Sequence, residues 1–175
     1  MNTLAKTSMS DVISMKKTGK SFMEGLCPRG VFSLVVRDSL GNIKDARISK
    51  NIVTNVGFAG IASRINGAGA EAVATYLAVG TGTTAAAATD TTLQTEIVDS
   101  GLARVNASAS RTTITQTNDA ATLITTFTVT GTKAVTEAGV LNAASSGVLF
   151  ARSVFTAVNV VNGDSLQLTY KIQVA

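Results

Sequence analysis

Glu96 and Glu137 are the first residues whose types suggest chemistry, with Arg104 close to Glu96 in sequence. Two carboxylates on a rigid scaffold can divide acid and base roles and hydrolyse a glycosidic bond. Such a site wants a cleft with aromatic platforms for the sugar, and the chain has only six Phe, two Tyr and no Trp. Tyr76 lies inside an apolar run and Tyr170 alternates with apolar neighbours, so both read as core residues rather than sugar platforms. A structural ion pair involving Arg104 is the preferred reading of the three charges. A carbohydrate-binding module fails on the same shortage of exposed aromatics.

Gly80-Thr81-Gly82-Thr83-Thr84-Ala85 follows an apolar run and fits the relaxed dinucleotide pattern, with Asp99 placed for a ribose contact. That chemistry requires a long helix directly after the glycines. Thr83 to Thr92 is Thr- and Ala-rich instead, so the glycines read as a turn that frees the backbone at a strand end. There is no His, which excludes a Ser–His–Asp triad, a Cys–His dyad and a His-ligated metal. Cys27 is the single cysteine; it cannot form an intrachain disulfide and reads as an apolar residue. Lys16 and Lys17, with Lys20, read as a solvated face rather than a phosphate clamp. Asn106-Ala107-Ser108 fits a glycosylation sequon that matters only on secretion. No catalytic, cofactor-binding or metal-ligating residue is assigned, and no cofactor is expected.

These residues must be positioned by a chain of 175 residues, 45% hydrophobic and 15% charged, enough for one domain or one domain with an arm. No apolar run reaches the length of about 18 residues that a membrane helix needs. The N-terminus lacks the continuous apolar stretch of a signal peptide. A soluble protein made inside the cell, without membrane contact, is expected. Charge is uneven: residues 1–50 hold nine Lys or Arg against four Asp or Glu, and residues 51–175 hold six against seven. The basic first segment has one aromatic and no Arg-rich run, so a protein-docking arm is expected rather than a nucleic-acid interface.

The arm is placed at residues 1–30. Ser10 caps a short helix from Asp11 with Val12 and Ile13 as apolar members, and Phe22, Met23 and Leu26 form an apolar cluster before Pro28. Such a helix is too short to stand alone and needs a partner surface. Val12, Ile13, Lys16, Lys17, Phe22, Met23 and Leu26 are therefore the candidate partner-binding residues. The body, residues 31–175, alternates in period two. Val31 to Val36 and Ile43 to Val53 form a hairpin with Ala46, Ile48 and Ile52 inward. A short helix from Phe58 to Ile65 carries Phe58, Ile61 and Ala62 on its buried face and ends at Asn66 to Gly69. Thr75 to Val79 is a buried strand, and Leu93, Ile97 and Val98 share one side of a turn or short helix. Leu102 to Ile114, Thr122 to Thr130, Val135 to Leu141, Val148 to Phe155 and Ser165 to Val174 follow as strands. The fold class is mainly β: an antiparallel β-sandwich, jelly-roll-like, with one or two short helices and an extended or helical N-terminal arm.

Five short motifs resemble, in order, the attachment-type N-terminal domain of bacteriophage tail-fibre and tail-collar proteins. They are Lys50 to Gly57 before the helix, Tyr76-Leu77-Ala78-Val79-Gly80-Thr81-Gly82, and Thr91-Thr92-Leu93-Gln94-Thr95-Glu96 followed by Arg104. Thr136-Glu137-Ala138-Gly139-Val140 and Gly147-Val148-Leu149-Phe150-Ala151-Arg152 complete the series. The resemblance covers about residues 50–155 and implies a non-enzymatic structural protein of the virion, assembled in the bacterial cytoplasm. Under it, Glu96, Arg104 and Glu137 hold the fold. The low-charge body would pack against copies of itself as a trimer or hexameric ring, and the arm would dock on other virion proteins of the tail or portal. A cement or decoration protein on the major capsid lattice is the alternative, since small size, a sandwich and a clamping arm suit it as well. No repetitive shaft or receptor-binding tip accompanies the motifs, so host recognition is not implied.

Overall fold

The computed structural model describes residues 28–69 and 71–174. The chain runs β1 (Arg29–Arg37), β2 (Ile43–Lys50), β3 (Ile52–Val53), α1 (Asn55–Asn66), β4 (Tyr76–Gly80), β5 (Val105–Asn106), β6 (Ser108–Thr112), β7 (Ala120–Thr128), β8 (Lys133–Leu141), β9 (Leu149–Val160) and β10 (Ser165–Gln173). Two five-stranded sheets result, ordered β2-β1-β10-β7-β6 and β3-β9-β8-β4-β5, with every pairing antiparallel. The mainly β sandwich expected from alternation is the fold.

Alternation explains the central strands. Leu166, Leu168 and Tyr170 of β10 point inward and are buried, while Gln167 between them is exposed. Phe32, Leu34 and Val36 of β1 stand opposite Tyr170, Leu168 and Leu166, so both rows of side chains meet in one core. The Phe32 and Tyr170 rings lie 4.9 Å apart. The second sheet contributes Leu77, Val79, Val135, Val140, Val158 and Val160 to that core. Fully burying one such side chain stabilises the fold by about 1.5–3 kcal/mol.

Five expectations are corrected. Residues 43–53 are not one strand: β2 ends at Lys50, the chain crosses at Asn51, and β3 pairs with β9 in the other sheet. Ala46, Ile48 and Ile52 do not face inward; Ile48 is 77% exposed and Ile52 39%. The inward positions of β2 are Asp45, Arg47 and Ser49, opposite Val36, Leu34 and Phe32. They satisfy one another and the neighbouring sheet: Arg47 pairs with Asp45 and donates to the Thr156 carbonyl at 2.8 Å, and the Ser49 and Ser153 hydroxyls bond at 2.8 Å. Polar groups with partners across the gap outweigh two aliphatic side chains at an edge. Leu102 to Ile114 likewise splits at Ala107, β5 lying in the second sheet and β6 in the first.

The helix buries a different face from the one expected. Gly57 and Gly60 are its buried residues, whereas Phe58 is 44% exposed and Ala62 is exposed. A Cβ at Gly57 would lie 2.2 Å from the Phe150 carbonyl oxygen, and one at Gly60 2.3 Å from the Phe150 ring. The glycines let the helix backbone rest directly on β9. Thr54 caps it: its Oγ1 accepts the Gly57 N–H at 2.9 Å and donates to the Leu149 carbonyl. Gly67, at φ 70°, ends it. Finally, Leu93 and Ile97 are buried as expected, but the segment is irregular, with bends and one bridge from Glu96 to Gly80, and Val98 is 78% exposed.

Candidate functional site

The polar residues of interest gather where the long loop between β4 and β5 folds back on β8 and β9. Glu137 of β8 is fully buried. Its Oε1 accepts the N–H groups of Gly82 at 3.1 Å and Thr95 at 2.7 Å. Its Oε2 accepts the Gln94 N–H at 3.0 Å and Arg152 Nε at 2.8 Å. A carboxylate offers about four lone-pair sites, so these four donors occupy it completely. Gly80 and Gly82 are what allow the approach. A Cβ at Gly80 would lie 2.4 Å from Glu137 Oε1, and one at Gly82 2.5 Å from the same atom. The paired glycines thus serve a carboxylate of the chain itself, and an extended loop rather than a helix follows them.

Arg152 of β9 completes the brace. Its side chain is 3% exposed and joins Glu137 to Asp90, with Nη1 2.8 Å from Asp90 Oδ2 and Nη2 donating to the Thr84 carbonyl at 3.1 Å. Burial alone would raise the Asp90 carboxyl, but the Ala87 N–H and the Arg152 guanidinium outweigh it and hold it below its ordinary value. Burial would likewise lower Arg152, and its two carboxylate partners raise it. Thr136 Oγ1 donates to the Gly82 carbonyl at 2.8 Å, and Gln94 bonds both the N–H and the hydroxyl of Thr84. Residues 82–95 are thereby tied to β8 and β9 at several points.

Glu96 and Arg104 form a second, separate unit. Arg104 grips Glu96 through two parallel bonds, Nε to Oε1 at 2.9 Å and Nη2 to Oε2 at 2.6 Å. Its Nη1 also donates to the carbonyls of Ala143 and Ser146. Glu96 and Glu137 therefore answer to different arginines. Arg152 and Asp90 carry no role in the sequence reading, although a buried Arg in an otherwise apolar strand demands a carboxylate partner. Among the candidate partner-binding residues, Val12, Ile13, Lys16, Lys17, Phe22, Met23 and Leu26 lie outside the described residues, as does Cys27.

Two apolar features lie elsewhere. A cleft of about 310 Å³ opens between the sheets, walled by Val53, Ile61, Val73, Phe150 and Tyr170. A groove of about 620 Å³ runs beside Pro28, Ile52 and Phe58. Among the described residues no group of His, Cys, Asp or Glu is arranged to hold a metal ion, and no helix is long and apolar enough to cross a membrane. The class defined by this architecture is a ten-stranded antiparallel sandwich with a loop braced by buried charge. Compared with protein-family models, curated proteins and solved structures, the chain matches none of them.

Proposed function

We infer that the chain is a non-enzymatic structural component of a bacteriophage virion, at the tail, collar, baseplate or fibre base. It assembles with copies of itself and docks on a neighbour through its N-terminal segment. The observation supporting this reading is where the ordered motifs meet. Gly80, Gly82, Gln94, Thr95, Glu137 and Arg152, drawn from four of the five motifs that resemble the tail-fibre attachment domain, lie in one brace. In that brace every oxygen of Glu137 is committed to holding a loop, which is work for a scaffold rather than for a substrate. Exposed Ile65 and Val73 supply apolar surface of the kind that subunit contacts cover.

The deciding experiment is copy number per particle, by quantitative mass spectrometry of purified virions against the major capsid protein. A small multiple of three or six supports a ring or fibre base. Hundreds of copies would move the protein to the capsid lattice as a cement protein. Absence from the particle would defeat the virion reading and return a glycan array to the first rank of tests. The docking role has its own test, deletion of residues 1–20, which leaves β1 intact. The truncated chain is expected to fold and to be lost from particles; normal incorporation would remove the arm from the account.

A further inference from the structure

The groove beside Pro28 has two needs at once. Its walls include Val31, Ile52, Val53 and Phe58, with Phe58 44% and Ile52 39% exposed. Lys50 lies on it and has no carboxylate partner among the described residues. Asn51 also lines it, with its buried carboxamide beside the Tyr170 hydroxyl. An occupant that suits the groove brings large apolar side chains and an anion.

Pro28 is itself part of the groove's wall, so the chain enters the described fold at this place. The sequence just before it is Phe22-Met23-Glu24-Gly25-Leu26-Cys27: three large apolar residues and one carboxylate. We propose that residues 22–26 of the same chain fill the groove, with Phe22, Met23 and Leu26 against its apolar wall and Glu24 toward Lys50. An extended chain spans about 3.3–3.6 Å per residue, which puts Leu26 within about 7 Å of Pro28 and Phe22 within about 20 Å. A segment tethered so closely has an effective concentration that a second copy of the chain does not match. The inference does not depend on the virion reading. It divides the arm into a root, seated on its own body, and a tip before residue 21 that is left for other molecules.

Cross-linking tests it on the full chain. Cysteines are placed by Glu24→Cys and Lys50→Cys in a Cys27→Ser background and joined with a short bis-maleimide. The expected product is an internal link within a single chain, absent when the second cysteine is moved to Leu40 in the turn between β1 and β2. A two-chain product would show that a second copy owns the groove, and no link would show that it is not the seat; either result overturns the proposal. Cleavage after Glu24 by a glutamate-specific protease gives an independent reading. Phe58→Ser is expected to speed that cut by about tenfold or more through local opening. Equal rates in the two proteins, both folded by circular dichroism, would also overturn it.

Discussion

The brace and the helix share a support in β9, the brace resting on β8 as well, and they solve opposite problems. At the brace, charge is buried and every partner is supplied internally, as Glu137 and Arg152 illustrate. At the helix, two glycines take the inward positions, and Phe58 and Ile65 are left facing out. Polar groups are consumed within the molecule in the first region; apolar groups are offered outward in the second. The contrast separates what a region does for its own fold from what it leaves for contact. A buried ion pair with all donors matched has nothing left to recognise, whereas Ile65, exposed on the helix, does.

The largest effect that would test this contrast comes from the brace. Arg152→Met leaves Glu137 buried without its cation and is expected to cost about 3–5 kcal/mol, measured by urea unfolding. A loss under about 1 kcal/mol would mean the brace is ornamental. Gly57→Ala is next: its Cβ has no room beside Phe150, and about 1–3 kcal/mol of overpacking is expected in the same assay. Thr54→Ala removes the helix cap and is expected to cost about 1 kcal/mol. Ile65→Ser, at 84% exposure, is expected to stay within about 0.5 kcal/mol while weakening self-association in sedimentation experiments. A large loss of stability in that last variant would mean that Ile65 supports its own fold, and the contrast would fail.

Acid sharpens the comparison further. Asp90 is held below its ordinary value, and so is Asp164, where burial is outweighed by the Lys44 ammonium and the Val161 N–H. Asp119 is lowered strongly by the N–H groups of Gln116, Ile114 and Thr115. A depressed carboxyl contributes stability that is fully present above its unfolded value near 4 and is lost as pH falls through the folded value. Thermal melting temperature is therefore expected to hold from neutrality down to about pH 5 and to drop below about pH 4. Asp90→Asn is expected to flatten part of that acid limb, while Ile65→Ser leaves its slope unchanged.

Much of the fold was legible because alternation is a local signal. Leu166, Leu168 and Tyr170 carry it without interruption, and β10 lies at the centre of its sheet. Where the signal misled, the deciding partner was distant in sequence. Nothing local in β2 announces that Arg47 meets Thr156 or that Ser49 meets Ser153, so the wrong face of the strand looked apolar. The helix misled because its contact is made by absent side chains: Gly57 and Gly60 contribute no hydrophobic periodicity. At the site, the sequence singled out Glu96, Glu137 and Arg104 as polar residues of note. It left Glu137's partner unassigned because that arginine comes from the next strand, fifteen positions on.

The pairing of β1 with β10, from Arg29 opposite Gln173 to Arg37 opposite Ser165, has a consequence for biosynthesis. The first strand of the sandwich to leave the ribosome waits for the last, because its inner neighbour is translated more than a hundred residues later. Until then Phe32, Leu34 and Val36 have only the short hairpin with β2 to shelter them. Contacts of such separation close slowly, and the sandwich is expected to form only once β10 has been translated. Stalled nascent chains ending before Ser165 should remain protease-sensitive, and early protection of β1 would show that it finds another shelter first.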